Sequence, residues 1–235
     1  MRLRPTAVAG ALAALSVTSP PADTAIISGT ADVDDATLIE TDVTGNTGAD
    51  PACRVGRTGQ PSIRRMVLRF DLGVIAPGAT INSVELDLNV GLSSSGSDTL
   101  RIHRLTNSWV EGTGVGVGGS QGGQAGQLVP GAVTWNSREH GTSLWTTPGG
   151  DFVPAESASV LAPGSGGFSF SGAGLVADVQ GWVNSPASNF GWIIRGTESV
   201  QSARIINASE SPQGPVLTVD FTPGTTAAEG WPLYR

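Results

Sequence analysis

The residues best suited to ligand chemistry lie in one polar stretch, VTWNSREHGTSLWTTPGGDF, at positions 133–152. Two tryptophans stand between polar residues there, and exposed indoles can stack on the apolar C–H faces of sugar rings. Neighbouring charged and planar side chains can hydrogen-bond sugar hydroxyls. The candidate carbohydrate-binding residues are therefore Trp145, Trp135, Arg138, Glu139 and His140.

A second interpretation of the same tryptophans is structural. A long polar loop needs apolar anchors to hold it against a sheet, and indoles are large enough to provide them. The sequence favours this anchoring role for Trp135 and leaves the two roles evenly balanced for Trp145.

Three carboxylates are clustered in ADVDDAT: Asp32, Asp34 and Asp35. Calcium binds clustered oxygen ligands in loops, so these residues are weak candidate metal ligands. The glycine and distal glutamate of an EF-hand loop are missing, which favours a solvated strand entry instead. Calcium therefore stays an open cofactor assignment, and no other cofactor is expected.

Catalytic chemistry finds little support in the sequence. Asp71, Glu85 and Asp87 alternate with apolar residues on two predicted strands, and paired carboxylates could hydrolyse glycosides. If the two strands are neighbours, however, Arg69 and Asp71 lie across from Glu85 and Asp87, and opposite charges so placed are ordinary cross-strand partners. Wetting of an outer sheet face is the favoured interpretation.

Nucleophilic and nucleotide chemistry are disfavoured as well. Cys53 is the only cysteine and is expected to be a partly buried loop residue. His103 alternates within a predicted strand, which indicates a surface or edge position. A G-x-G-x-x-G match at residues 114–119 has no apolar helix behind it, and the chain has no lysine for a P-loop. We therefore predict a protein that is not an enzyme.

Composition points to a β-rich domain with an acidic surface. The chain has 235 residues with 33 glycines and 15 prolines, which suits many short strands joined by turns. Its 13 positive charges, all arginine, stand against 20 acids, giving a net charge of −7. Such a surface repels nucleic acid and anionic lipid, and it favours neutral over strongly anionic polysaccharides as partners.

The ends of the chain look different from its middle. Arg2 and Arg4 precede a short apolar run, the order typical of a secretory signal peptide, so residues 1–25 are predicted to be a signal peptide or an N-terminal tail. No later segment is apolar enough to insert into a membrane. Residues 26–222 form the predicted domain, and residues 223–235 form a C-terminal extension.

Strand-like alternation runs through the predicted domain, with a glycine-rich surface loop at 112–127. One stretch has helical spacing instead: Leu175, Val179 and Trp182 recur with Ser171 as a candidate cap and Pro186 as a stop. The remaining aromatics Trp192, Phe190 and Phe221 are expected in the core, and Trp109 at the end of a strand.

The order of several motifs resembles that of DNRLRE-type domains, which are extracellular β-sandwich modules of bacteria and archaea, some of them carbohydrate-binding. The motifs are RRMVLRFDL, IAPGATINSVELDL, IHRLTNSWVEG, GAVTWN, LVADVQGWV, NFGWII and PVLTVDF. The resemblance runs from about residue 31 to residue 221 and implies mainly structural roles for Phe70, Asp71, Trp109, Glu111 and Trp182. The late strand that gives the family its name reads ARIINASES here and is poorer in charge.

Together these observations predict an all-β fold, a jelly-roll-like antiparallel β-sandwich with one short helix. The expected function is that of a secreted or cell-surface, non-catalytic polysaccharide-binding module. Two alternatives stay open: a structural or adhesive extracellular protein that contacts other proteins, and, with less support, a polysaccharide-degrading enzyme. The sequence leaves the oligomeric state undetermined.

Overall fold

Residues 20–117 and 125–224 are described by a computed structural model of the chain. Most of the predicted signal peptide, the middle of the predicted glycine-rich loop and residues 225–235 of the predicted extension lie outside the described residues. The first strand begins at Asp23, inside the segment that the sequence assigned to the N-terminal tail.

The strands are β1 (Asp23–Ser28), β2 (Val33–Ile39), β3 (Gly45–Asn46), β4 (Ala52–Arg57), β5 (Ile63–Phe70), β6 (Thr80–Ser93), β7 (Asp98–Arg104), β8 (Gln127–Leu128), β9 (Ser137–Glu139), β10 (Ser143–Leu144), β11 (Ala158–Ala162), β12 (Gly166–Ser171), β13 (Trp192–Arg195), β14 (Arg204–Asn207) and β15 (Val216–Thr222). The helix α1 spans Ala173–Asn184 and is followed by a 3-10 turn at Pro186–Ser188. This confirms the prediction of a β-rich chain with one short helix.

Within the described residues, eleven strands hydrogen-bond into one large antiparallel sheet. Its order is β1-β15-β6-β14-β4-β5-β13-β7-β11, with β12 on the far edge of β6 and β2 on the far edge of β5. The short pairs β3–β8 and β9–β10 lie outside this sheet. The large sheet is curled, and this brings side chains from strands that are distant in the sheet order into one cluster.

The main core fills the concave side of the curled sheet. Leu68 of β5, Leu86 of β6, Ile194 of β13 and Leu217 of β15 are all fully buried in the same cluster. The predicted alternation of β5 and β6 supplies these inward positions, since successive side chains of a strand point to opposite faces. Burial of this apolar surface is the main stabilising contribution to the fold.

Helix α1 packs against this core. Leu175, Val179 and Trp182 are buried, as their spacing predicts. The predicted cap at Ser171 is wrong: that residue ends β12, and Gly172 precedes the helix with φ of 130° and no side-chain hydrogen bond. A positive φ of this size suits glycine, which lacks a Cβ atom. Pro186 follows the end of the helix, as expected.

Strands β5 and β6 are not neighbours, so the charge pairing that depended on their adjacency does not form. Strand β5 pairs with β2, β4 and β13, whereas β6 pairs with β12, β14 and β15. Arg69 therefore does not face Glu85 or Asp87. It lies across from Asp34 of β2 and forms an ion pair with that carboxylate. Alternation alone identifies a strand but carries no information about its neighbours.

Strand β5 is buried on both faces, although its sequence alternation suggested one solvated face. Val67, which points away from the main core, has no exposed surface. It belongs to a second apolar cluster on the outer side of the sheet, together with Ala36 of β2 and Ile193 of β13. Three tryptophans from the long segment between β7 and β11 complete this outer cluster: Trp109, Trp135 and Trp145.

Cys53 and His103 are more deeply buried than the sequence predicted. Cys53 lies within β4 with no exposed surface rather than in a loop, and burial raises the pKa of its thiol. His103 lies in β7 between β13 and β11 and is 4% exposed, so the surface or edge assignment is wrong. Its Nδ1 lies 3.1 Å from the carbonyl oxygen of Val153. Both residues lie in strands that have a neighbouring strand on each side.

Asp35 of β2, which is fully buried, lies next to Glu111, which is partly buried. Oδ2 of Asp35 accepts a hydrogen bond of 2.8 Å from the backbone N–H of Ser209, and the thiol of Cys53 lies 3.4 Å from its Oδ1. The backbone N–H of Asp35 donates to Oε1 of Glu111 at 2.6 Å. Burial, with the nearby Glu210 charge, raises the pKa of Asp35 to about 7. Burial, with the neighbouring carboxylates, raises the pKa of Glu111 to about 8.

These raised pKa values predict a domain that is more stable in mild acid than in base. Both carboxyls bind protons more tightly in the folded chain than in the unfolded chain, so the stability that these two groups contribute is fully present below pH about 4 and is lost as pH rises towards 8. We expect the free energy of unfolding, measured by urea titration, to drop by roughly 2 kcal/mol or more between pH about 5 and pH about 9. The variant Asp35→Asn should lose much of this slope, because an amide carries no charge at either pH.

Glu85→Gln is the matched control, since Glu85 is exposed on β6. It should keep the slope of the parent chain. A parent chain equally stable at both pH values, or an Asp35→Asn variant with an unchanged slope, would contradict this account.

Candidate functional site

The long segment between β7 and β11 covers the outer face of the sheet. Its start and end are joined: Leu105 bridges Phe152, and the N–H of Thr106 donates to the carbonyl of Asp151 at 3.0 Å. The intervening chain, called here the covering loop (residues 105–157), carries the whole predicted sugar-binding stretch. The described part of this loop packs on β2, β5 and β13 through the outer apolar cluster.

The predicted stacking tryptophans lie beneath the surface of the covering loop. Trp135 is 7% exposed and Trp145 is 4% exposed. The indole N–H of Trp145 donates to the carbonyl of Thr134 at 3.0 Å, and that of Trp109 to Phe190 at 2.8 Å. The expectation that Trp135 and Trp145 offer exposed faces to a sugar is not met. Their environment matches the second interpretation, in which the indoles anchor the loop.

The polar candidates Arg138, Glu139 and His140 lie partly exposed at and just after β9. Arg138 donates to the hydroxyl of Ser108 at 3.2 Å and lies 3.6 Å from the Glu139 carboxylate. The backbone N–H of His140 donates to Ala132. These contacts brace the loop, and the structure does not bring the three residues to an exposed indole face.

The candidate calcium ligands do not form one cluster, since Asp32 and Asp34 border the same surface groove whereas Asp35 is buried. Asp32 is exposed before β2, Asp34 pairs with Arg69, and Asp35 is buried on the opposite face of the strand. Neighbouring residues of a strand cannot share one ligand sphere, because their side chains alternate. Across residues 20–117 and 125–224, no group of three or more histidine, cysteine or acidic side chains is arranged to hold a metal ion.

An open groove lies where the two ends of the covering loop meet, with a cavity volume of about 400 Å³. Asp151 organises its wall: Oδ2 accepts from the N–H of Thr146 at 2.7 Å and from the side-chain amide of Asn107 at 3.1 Å, and Oδ1 accepts from the N–H of Thr147 at 2.8 Å. We call this the Asp151 groove. Its lining is Thr106, Asn107, Thr146, Thr147, Gly150, Asp151, Phe152 and Pro154.

The Asp151 groove combines hydroxyl and amide groups with one partly exposed aromatic ring. Hydroxyl and amide side chains both donate and accept hydrogen bonds, which suits ligands with many hydroxyl groups. The ring of Phe152 and the ring of Pro154 provide apolar surface beside them. The groove therefore offers hydrogen-bonding groups beside a small apolar surface, with one carboxylate and no basic side chain in its lining.

A pair of arginines around Glu198 holds the wall of this groove to the sheet. The Glu198 carboxylate accepts from Arg65 at 2.8 Å and from Arg195 at 2.7 Å. The guanidinium groups of Arg65 and Arg195 lie 5.8 Å and 5.0 Å from the ring centre of Phe152, and Arg65 lies 5.1 Å from that of Trp135. Arg65 also donates to the carbonyl of Gly149 at 2.8 Å. These contacts position Phe152 at the edge of the groove.

The electrostatics of Glu198 reflect this double pairing. Burial by itself raises the pKa of a carboxyl group, but the hydrogen bonds and charges of Arg65 and Arg195 outweigh it and lower the pKa of Glu198 to about 2. The carboxylate therefore stays ionised across the physiological range.

The predicted sugar-binding stretch supplies part of the lining of the Asp151 groove, but the residues singled out from the sequence are not among those lining residues. Asp151 and Phe152 lie at the end of the predicted stretch, whereas Asn107 lies at its other side and Glu198 lies far along the chain. No local pattern connects these positions, since β7, β13 and the covering loop bring them together only in three dimensions.

No model of a known protein family matches this chain, and neither does any curated protein. Within the described ranges, no helix is long and apolar enough to cross a membrane. The chemistry of the Asp151 groove is therefore interpreted from its own geometry.

The arginine pair predicts a strong effect of Glu198 on stability. Glu198→Gln should lower the free energy of unfolding by roughly 2–3 kcal/mol, because it removes the only anion between two half-buried guanidinium groups. The control Glu156→Gln breaks a surface pair with Arg101, in which both side chains are about 40% exposed, and should change stability by less than about 1 kcal/mol. Urea denaturation near neutral pH measures both. Equal effects of the two substitutions would refute a clamping role.

The buried position of Trp145 predicts a structural phenotype. Trp145→Ala should lower the free energy of unfolding by about 3–5 kcal/mol, as for other large-to-small core substitutions. Trp145→Phe keeps most of the apolar volume and should cost much less. A Trp145→Ala domain with unchanged stability would show that the indole is not part of the core, and its sugar-stacking role would return.

Proposed function

We propose that this protein is an exported, non-catalytic polysaccharide-binding module whose site is the Asp151 groove. The observation that carries this proposal is the lining of the groove: hydroxyl, amide and single carboxylate groups, held in place by hydrogen bonds, beside one partly exposed phenylalanine. Pre-positioned polar groups cost little ordering entropy when a ligand binds.

The charge of the site supports a neutral polymer. The lining carries Asp151 and no basic side chain, and the whole chain has a net charge of −7. Both charges repel carboxylated or sulfated glycans at long range, and this repulsion is strongest at low salt. An uncharged polysaccharide meets no such barrier.

The arrangement of carboxylates supports binding without hydrolysis. Glycoside hydrolysis in most families needs two carboxyl groups flanking the scissile bond. The Asp151 groove is lined by one, and that one already accepts three hydrogen bonds. Asp35, whose pKa is raised to about 7, is fully buried and so cannot contact a substrate. A polysaccharide-degrading enzyme is the least supported alternative.

The family and the compartment belong to the same proposal. The ordered motifs support a relationship to DNRLRE-type domains, with the curled sheet corresponding to the two layers of a jelly-roll-like sandwich. The basic and apolar residues at positions 2–17 support export to the extracellular space or cell surface.

A structural or adhesive protein is the second candidate, and the edges of the sheet favour it. Strand β1 pairs only with β15, and β11 only with β7, among the described strands. Ile26 on β1 is 70% exposed and Leu161 on β11 is 67% exposed. The unpaired backbone N–H and C=O groups of an edge strand can pair with a strand from another chain, and exposed apolar side chains add contact surface there.

Affinity electrophoresis of the folded domain tests the leading proposal. Gels containing single neutral or anionic polysaccharides, with calcium or with chelator, measure retardation. We expect one or more neutral polymers to retard the domain, independently of calcium. Asn107→Ala should weaken binding roughly ten-fold, the effect of one or two lost hydrogen bonds of about 1 kcal/mol each.

Asn82→Ala is the control, because Asn82 is exposed on β6 and does not line the groove. It should bind like the parent chain. Retardation by no polymer would move the adhesive protein to first place. Retardation that survives Asn107→Ala unchanged would place the glycan site elsewhere, and calcium-dependent retardation would restore the acidic residues as candidates.

A further inference from the structure

A second groove lies where β5 ends, beside the end of helix α1. It has a polar part of about 340 Å³, whose wall includes Asp32, Asp34 and Asp71. A smaller apolar part of about 160 Å³ continues from it, and the two share Asp71, Pro186 and Asn189. We call the two parts together the α1-end groove. It is separate from the Asp151 groove, and the inference below does not rest on the proposed function.

The polar part of the α1-end groove has an excess of negative charge. Its wall contains three carboxylates and one cation, Arg69. Arg69 is already engaged, since it pairs with Asp34, lies 3.4 Å from the carbonyl of Trp109 and stacks 5.2 Å above the ring of that residue. Asp32 and Asp71 are exposed, and Asp71 accepts a hydrogen bond from the N–H of Gly73. Among residues 20–117 and 125–224, neither carboxylate forms an ion pair.

The end of helix α1 adds to this potential. Trp182 and Val183, from its last turn, line the apolar part, and Pro186 lines both parts. The C-terminus of a helix carries a partial negative charge from its unsatisfied carbonyl groups, and cations are favoured there. The backbone N–H of Ser185 hydrogen-bonds the carbonyl oxygens of Gly181 and Trp182, and the remaining negative end of the helix dipole has no basic residue within its last turn.

The apolar part accommodates a hydrocarbon stem next to these charges. Leu72, Ile75, Pro77 and Val183 contribute apolar surface to its wall. Trp182 also lines it. Lysine and arginine side chains bury an apolar stem while their charged heads stay in polar surroundings.

We propose that the α1-end groove binds an arginine side chain of a partner polypeptide, with the methylene stem in the apolar part and the guanidinium against Asp32 and Asp71. The planar guanidinium presents several N–H donors to carboxylates and is more weakly hydrated than an ammonium group. A metal ion fits less well, because no three acidic, histidine or cysteine side chains of the described residues are arranged as its ligands. An amino sugar would bring hydroxyl groups into the apolar part, where they lack partners.

Titration of the isotope-labelled domain, followed by nuclear magnetic resonance, tests this proposal. The probe is arginine with an acetylated amine and an amidated carboxyl group. The same derivative of citrulline has a similar stem without the charge and is the matched comparison. We expect saturable shifts of the Trp182 indole and Asn189 side-chain resonances, several-fold tighter binding of arginine than of citrulline, and weaker binding in high salt.

Variants separate the site from general attraction to an acidic protein. Asp32→Asn and Asp71→Asn should each weaken arginine binding about two- to five-fold, the range typical of exposed ion pairs. Glu85→Gln removes the same charge from an exposed position on β6, outside the groove, and should leave binding unchanged.

Several outcomes would overturn the proposal. Equal affinity for arginine and citrulline would show that charge plays no role, and an equal loss in Glu85→Gln would show attraction without a site. Tighter binding of a glucosamine oligomer would assign the groove to a sugar, and the absence of saturable shifts would remove the site. The glycan-binding test uses other residues, so either proposal can fail without the other.

Discussion

The burial of β5 on both of its faces is the constraint on which the rest of this structure depends. One face, including Leu68, lies in the main core, and the other, including Val67, lies under the covering loop. A strand with two buried faces needs apolar side chains packed on each face. The main core on the concave side of the sheet covers only one of the two faces of β5. The tryptophans of the covering loop cover the other. The loop is therefore part of the folded core, and its outer surface is free to carry a ligand site.

All the permanently charged basic side chains of this protein are arginines, because the sequence contains no lysine. The planar guanidinium of arginine can pair with a carboxylate and stack on an aromatic ring at the same time. Arg65 does this with Glu198 and Trp135, and Arg69 does it with Asp34 and Trp109. In both cases a charged residue on the outer face of β5 fastens an indole of the covering loop. The same interaction that holds the loop therefore determines the shape of the grooves next to it.

The two grooves share no lining residue and differ in chemistry. The Asp151 groove is lined by three threonines, one asparagine and a single carboxylate, the features on which the proposal of an uncharged sugar ligand rests. The α1-end groove combines an excess of carboxylates with an apolar recess, which supports a basic side chain. A module with both sites could hold a polysaccharide and a protein at once. Such a protein would join the binding and the adhesive functions that the sequence left as alternatives.

Much of the local structure follows from the sequence by itself. Alternation identifies β5 and β6 and their inward residues, helical spacing identifies the buried face of α1, and the polar stretch at 133–152 contains part of the groove wall. These features depend on the direction of side chains within one element, which the backbone geometry of a strand or helix fixes. The acidic composition and the absence of lysine likewise follow from the chain directly.

Only the tertiary structure decided which elements meet. Alternation is the same in every strand, so it could not show that β5 pairs with β2 rather than β6, or that Arg69 meets Asp34 rather than Glu85. It could not show that Trp145 is buried, because an indole among polar neighbours is exposed or covered according to what packs upon it. Asn107, Asp151 and Glu198 are brought to one site by contacts between distant segments. Such contacts depend on the packing of the whole chain, and no short stretch of sequence contains them.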